Sequence, residues 1–182
     1  MIRRIQNVIR RHGFAGAARA AVRKLWDLVS ELGPQQRRIR RTLAEFDRQY
    51  GVDTSTKVPA SALGVAGESA LHACGYQTTS VEAFHRILRA IPVRHEAFTF
   101  IDIGSGKGRA LLLASHYPFK RIIGVEFSER LVQIARRNIR IYRDARQQCR
   151  EIEVVCIDAA EYAIPEGNVL LYLYNPFDEV CT

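Results

Sequence analysis

The stretch FIDIGSGKGRALLLAS, Phe100–Ser115, is where residue types and spacing first point to chemistry. It sets Gly104, Gly106 and Gly108 at alternate positions directly after an apolar run. Glycines there allow a sharp turn and let a ligand touch backbone, and a helix that follows offers unpaired N–H groups. Three ligand loops share this appearance. The P-loop pattern G-x-x-x-x-G-K-[ST] fails. Aligned on Gly106-Lys107, it meets Ile101 where its first glycine belongs and Gly108 where its hydroxyl belongs. The dinucleotide pattern G-x-G-x-x-G is weakened, because its third glycine falls on Arg109. The remaining pattern is D-x-G-x-G-x-G. Its Asp102 would repel a pyrophosphate and suits a cationic ligand with an amino group, which favours an amino-acid-like cofactor. Ser105 lies inside the same loop.

Further residues fit such a ligand. Glu126, followed by Phe127, ends the segment RIIGVE, 18 residues after Gly108, where a carboxylate can accept both hydroxyls of a ribose. Asp158, followed by Ala159, ends VVCID, where a carboxylate can accept an adenine amino group. The segment LYLYNPFDE carries Asn175, Pro176 and Phe177. Each has a plainer reading: Glu126 as a strand-end surface carboxylate, Asp158 as a helix cap, Asn175-Pro176 as a turn. Tyr172 and Tyr174 read as core. His72, His85, His95 and His116 show no clustering in the sequence, and no metal site is expected.

The elements that must hold these residues alternate. Strands are expected at Phe98–Ile103, Arg121–Glu126, Ile152–Ile157 and Val169–Tyr174, with helices at Lys107–His116 and Ser128–Arg146 between them. In the second helix Ser128 is the expected N-cap, and Leu131, Ile134, Ala135, Ile139 and Tyr142 face inward. Such alternation implies an α/β fold, a parallel Rossmann-like sheet with helices on both faces, which binds its ligand at the carboxyl ends of the strands. A helix over residues 80–90 precedes the sheet, with Thr79 and Glu82 as its capping box and Pro92 closing it. Residues 51–80 are otherwise rich in Gly, Ser and Thr.

The 182 residues allow one ordinary domain with a sizeable core, and 47% apolar residues argue against disorder. No apolar run is long enough to cross a membrane, and no secretory leader is visible. The four cysteines, Cys74, Cys149, Cys156 and Cys181, form no C-x-x-C pair and read as reduced thiols of a cytoplasmic protein. The net charge of +8 sits in residues 1–50, which hold 12 Arg/Lys against 4 Asp/Glu; residues 51–182 hold 15 of each. Helical patterns run over residues 2–30 and 35–50, the latter with Ile39, Leu43 and Phe46 as its stripe. The organisation expected is therefore a basic helical segment (1–50), a linker with a cap helix (51–96) and a cofactor-binding domain (97–182). The basic segment suits packing on its own domain, an anionic membrane surface or nucleic acid, and it also has the composition of a transit peptide.

At this point the sequence resembles the class I S-adenosylmethionine-dependent methyltransferases. IDIGSGKG is similar to their first motif, GVEFS to the acidic second-strand motif, CIDAAEY to the adenine-side motif and YNPF to the fourth, over residues 97–178. YGVD and the segment from Tyr76 through Thr78 look like those of bacterial members related to the non-SET histone-lysine methyltransferases. The resemblance implies S-adenosyl-L-methionine as cofactor, bound by Asp102, Gly104, Ser105, Gly106, Gly108, Glu126, Phe127, Asp158 and Ala159. It implies that Asn175 and Pro176 border the transferred methyl, with Tyr76, Thr78 and Phe177 toward the acceptor, a small molecule or a protein. In amino-group methyltransferases the fourth motif carries a second proline, where this chain has Phe177. The family also continues with three more strands where this sequence stops, so an incomplete form, or an edge covered by another chain, is expected. The alternatives are a non-catalytic protein of the same fold that meets an anionic surface through residues 1–50, and, more weakly, a nicotinamide-dependent oxidoreductase, which Asp102 and Arg109 disfavour.

Overall fold

The computed structural model describes residues 34–56, 58 and 79–173. The expected helices of residues 2–30, and the site residues Tyr76, Thr78, Asn175, Pro176 and Phe177, lie outside that set. The chain divides into two compact units, Met1–Thr42 and Leu43–Thr182. Of the first, the structure describes the opening turns of helix α1 (Pro34–Tyr50). The proline at its first position suits it, since no N–H is needed there. The second unit holds α2 (Val81–Ala90), a 3₁₀ turn (His95–Ala97), β1 (Thr99–Ile103), α3 (Arg109–Ala114), β2 (Arg121–Glu126), α4 (Glu129–Ile141), β3 (Ile152–Cys156) and β4 (Val169–Leu173).

The four strands form one parallel sheet in the order β3-β2-β1-β4. Asp102 pairs in register with Gly124 on one side and Tyr172 on the other. The order reverses between β1 and β4, which places the ligand crevice of such sheets at the end of β1. Alternation along β1 sends Phe100 to one face and Ile101 and Ile103 to the other. On the Phe100 face, Phe84 and Leu88 of α2, Leu111–Leu113 of α3 and Val132 and Ala135 of α4 close over Ile122, Val154 and Tyr172. On the opposite face Ile101, Ile103, Ile123 and Val125 are covered by Val155, Ile157, Ala159 and Tyr162. That core of buried aliphatic and aromatic side chains stabilises the sheet at about 1.5–3 kcal/mol per large side chain.

Several expected boundaries move. Ser80, not Thr79, is the N-cap of α2: its hydroxyl accepts from the Ala83 amide, and Glu82 accepts from the Ser80 hydroxyl. With Ser80 as N-cap, the third helical position is Ala83, so Glu82 meets the Ser80 hydroxyl and the expected Thr79–Glu82 capping box is not the arrangement observed. Helix α3 is shorter than expected because Gly108, at φ 82°, precedes it in the left-handed region. Helix α4 ends at Ile141 rather than Arg146. Tyr142 is extended (φ −61°, ψ 127°), and Asp144 then turns the chain by accepting from the Arg146 amide at 2.8 Å.

Candidate functional site

The loop after β1 is built around its glycines. Gly104, Gly106 and Gly108 have φ of 77°, 52° and 82°. Any other residue would be strained at these positions. The amides of Gly104 and Ser105 donate to the Val125 carbonyl at 2.8 and 3.0 Å, pinning the loop to the end of β2. Gly124 is needed for the same contact. A Cβ there would lie 2.7 Å from both Leu111 Cδ1 and Ser105 Oγ.

Glu126 is 4% exposed, so it is not the surface carboxylate of the plain reading. One oxygen accepts from the Gly106 amide and the other from the Ser128 amide, both at 2.9 Å. It therefore braces the glycine loop, and each oxygen keeps a second lone pair for a ligand hydroxyl. Burial raises the Glu126 pKa, and the amides of Ser128, Gly106 and Phe127 offset part of that. Asp102 is also 4% exposed. Burial pushes its pKa well above the usual carboxylate range, and the charge of Glu126 adds to the effect. Two carboxylates removed from water and repelling one another form a site relieved by a cation and aggravated by an anion. That is the preference inferred from Asp102 alone, with Glu126 now supplying half of it. The Ser105 hydroxyl is buried in the same loop with no partner among the described residues.

Asp158 and Ala159 stand beside this end of the sheet, since the Ile157 amide donates to the Glu126 carbonyl at 3.1 Å. Asp158 closes a short turn: its carboxylate accepts from the Ala160 amide and its carbonyl from the Glu161 amide. It caps a turn rather than a helix, and is half-buried. Phe127 is half-buried and its carbonyl accepts from the Cys156 thiol. Tyr172 is core, as expected.

Sequence reasoning missed what holds the loop from outside. Lys107 is 1% exposed, and its ammonium donates to both oxygens of Asp53 (2.8 and 2.9 Å) and to the Thr56 carbonyl. Asn138 of α4 donates to the carbonyls of Asp53 and Lys107 and accepts from the Asp53 amide. Arg109, 2% exposed, donates to Thr54, to the Leu43 carbonyl and to Asp47, and stacks over Phe46 with 4.5 Å to the ring centroid. Asp47 also accepts from the amides and hydroxyls of Thr54 and Ser55. The segment from Asp47 to Thr56 is thereby latched onto the glycine loop. Its sequence signal was FDRQYGVDTST: two carboxylates and three Ser/Thr hydroxyls, to set against the two cations Lys107 and Arg109 of the loop.

The histidines correct another expectation. His85 and His116, 31 residues apart in sequence, stack with centroids 5.3 Å apart and planes 14° apart, and His95 contacts the Tyr117 ring. They form a ring cluster, not a metal site: among the described residues no group of His, Cys, Asp and Glu is disposed to hold a metal. Cys149 and Cys156 are free thiols.

The family described as "Putative methyltransferase" matches residues 96–169, the span carrying the glycine loop, Glu126 and Asp158. No curated protein matches the chain. Among solved structures, an RNA methyltransferase from Salinibacter ruber in complex with S-adenosyl-L-homocysteine is 28% identical, covering 54% of this chain and 61% of its own, with a TM-score of 0.42. A dimethyladenosine transferase from Plasmodium falciparum is 15% identical, covering 53% and 33%, with a TM-score of 0.41. The chain thus spans less than two thirds of the length of either. The family match falls on residues 96–169, the span that carries the motifs by which the sequence resembles the class I methyltransferases.

Proposed function

We propose that this chain is an S-adenosylmethionine-dependent methyltransferase. The observation that carries the reading is the pair Asp102 and Glu126, desolvated together beside the glycine loop. The cofactor fits them. It is a cation with an ammonium group and ribose hydroxyls, and the loop also offers the Ser105 hydroxyl, which has no partner among the described residues. When bound, it supplies an electrophilic methyl on sulfur. Asp102 and Ser105 would meet its amino-acid end, Glu126 its ribose, and Phe127, Asp158 and Ala159 its adenine, with the backbone of Gly104, Gly106 and Gly108 allowing close approach.

Transfer then needs mainly an acceptor held in line with the methyl. We assign that task to Asn175 and Pro176, with Tyr76, Thr78 and Phe177 lining the acceptor side, by their place in the motifs. The acceptor is a small molecule or protein of unspecified class. The surplus of basic residues in 1–50 suits contact with an anionic surface. A cytoplasmic setting suits the free thiols Cys149 and Cys156. No helix among the described residues is long and apolar enough to cross a membrane.

Calorimetric titration of the whole chain with S-adenosylmethionine tests the reading, with Glu126→Ala and Asp102→Asn beside it. Saturable binding, weakened by both variants, is expected. A folded chain that binds nothing refutes the assignment. Asn175→Ala should keep cofactor binding and lose transfer; full transfer would remove Asn175 from the mechanism.

A further inference from the structure

The two halves of the glycine loop are held by different partners. The sheet fixes the first half: the amides of Gly104 and Ser105 donate to the Val125 carbonyl, and the Gly106 amide donates to Glu126. The second half, Lys107 and Gly108, is tied from outside the sheet. The Lys107 carbonyl accepts from Asn138 at 2.9 Å. Its ammonium donates to both oxygens of Asp53 at 2.8 and 2.9 Å and to the Thr56 carbonyl at 2.8 Å. Lys107 stands between two glycines of positive φ, 52° and 82°. Glycine is the residue least able to keep a backbone in one shape unaided. Neither neighbour has a side chain to grip, so a partner that ties this half of the loop by a side chain must hold Lys107.

Asp53 is placed to do so. Its amide donates to Asn138 Oδ1 at 2.9 Å and its carbonyl accepts from Asn138 Nδ2 at 2.8 Å, which clamps its backbone to α4. The same Nδ2 reaches the Lys107 carbonyl, so one carboxamide sets the latch and the loop in register. The two latch carboxylates have different surroundings. The Asp47 side chain is 11% exposed and, besides Arg109, takes the amides and hydroxyls of Thr54 and Ser55, so it maintains the latch's own fold. The Asp53 side chain is 45% exposed, and it can be altered with less disturbance of the core.

The consequence falls on Glu126. The amide that braces it belongs to Gly106, the residue directly before Lys107. A shift at Lys107 therefore reaches that hydrogen bond through a single peptide unit.

We propose that Asp53 is a positioning residue for the cofactor. Acting through Lys107, it keeps the Gly106 amide on Glu126, and so keeps that carboxylate aimed at the ribose before the cofactor arrives. The identity of the ligand rests on the methyltransferase reading; the hold on the loop does not. A loop that kept its binding shape only about a tenth of the time would lower affinity about tenfold.

The test compares the whole native chain with Asp53→Ala, Lys107→Met and the double variant, by two readouts. Amide hydrogen exchange without ligand reads the loop. In Asp53→Ala the Gly106 amide should exchange about tenfold faster, while those of Gly104 and Ser105, held by Val125, keep the native rate. Calorimetric titration with S-adenosylmethionine reads affinity. Each single variant should bind about tenfold more weakly, and the double variant no weaker than either, because both substitutions cut one contact. The double variant also separates positioning from stability. Removing the Lys107 charge should recover stability yet leave the loop untied, so its affinity should stay low. Asp53→Asn, which keeps one acceptor oxygen, should fall between native and Asp53→Ala in both readouts, and it carries the test if Asp53→Ala does not fold. Unchanged exchange at Gly106, or equal acceleration of all three amides, overturns the proposal. So does affinity that returns with stability in the double variant. A native chain that binds no S-adenosylmethionine refutes the methyltransferase reading instead, and exchange at Gly106 still decides whether Asp53 holds the loop.

Discussion

The contact between Asp53 and Lys107 allows a sharp prediction, because its two ends sit in different surroundings. The Lys107 side chain is 1% exposed, while that of Asp53 is 45% exposed. Burial alone would raise the Asp53 pKa, but Lys107 and Thr56 outweigh it and the net shift is downward. Removing one member of a fully buried pair costs about 3–5 kcal/mol, because the other charge stays behind uncompensated. Here water can enter from the Asp53 side, and the Thr56 carbonyl remains as an acceptor at 2.8 Å. Halving the figure on those grounds gives about 2 kcal/mol for Asp53→Ala and roughly 1 for Asp53→Asn. With a urea slope of about 2 kcal/mol/M, Asp53→Ala should lower the unfolding midpoint by about 1 M. The partner substitution Lys107→Met removes the stranded charge, so the double variant should be more stable than Asp53→Ala alone. Urea unfolding of the four proteins measures this directly. Additive single effects, or a midpoint unchanged in Asp53→Ala, would show that Lys107 is held by the loop's own fold and not by Asp53.

Other expectations follow from neighbouring contacts. Gly124→Ala puts a methyl 2.7 Å from Leu111 Cδ1 and Ser105 Oγ; it should cost about 1–3 kcal/mol in thermal or urea unfolding. Its cofactor affinity, read by calorimetry, should fall along with stability. Arg109→Lys keeps the charge but cannot reach Thr54, Leu43 and Asp47 as one planar fork; a loss of about 3 kcal/mol is expected, and a near-neutral result would mean the fork is dispensable. His116 is depressed to about 4 in the folded chain, from 6.5. The unfolded chain takes up the proton first, so stability should fall as pH drops below about 6.5 and level off beneath about 4, by at most roughly 3 kcal/mol. Unfolding measured from pH 7 to 5, where most carboxylates stay ionised, should show that slope in the native chain and a flatter one in His116→Gln.

The chemistry of the loop could be read from the sequence because it depends on local facts. Glycines at 104, 106 and 108 imply a backbone that only glycine adopts freely, and the alternating apolar runs imply a parallel sheet whose strand ends converge on one crevice. β2 was expected at the residues it occupies, Arg121–Glu126, where a short apolar run ends on a charged residue at each side. The ends of α3 and α4 were not legible: a left-handed Gly108 and an Asp144 turn are settled by contacts, not by periodicity. Glu126 was found by its spacing, but its bracing of Gly106 and Ser128 exists only once β2 lies against β1. The latch escaped the sequence for the same reason. Asp47, Asp53 and Thr54 precede Lys107 and Arg109 by 54 to 62 residues, and nothing in the intervening chain announces the pairing. Tertiary structure decided it, because two cations carried into the core by the glycine loop and α3 must each meet an acceptor there, and the chain entering from α1 supplies them. The same logic joined His85 to His116. The sequence shows two isolated imidazoles; the packing of α2 against α3 makes them one stacked pair, each with a buried ring nitrogen that has no partner among the described residues.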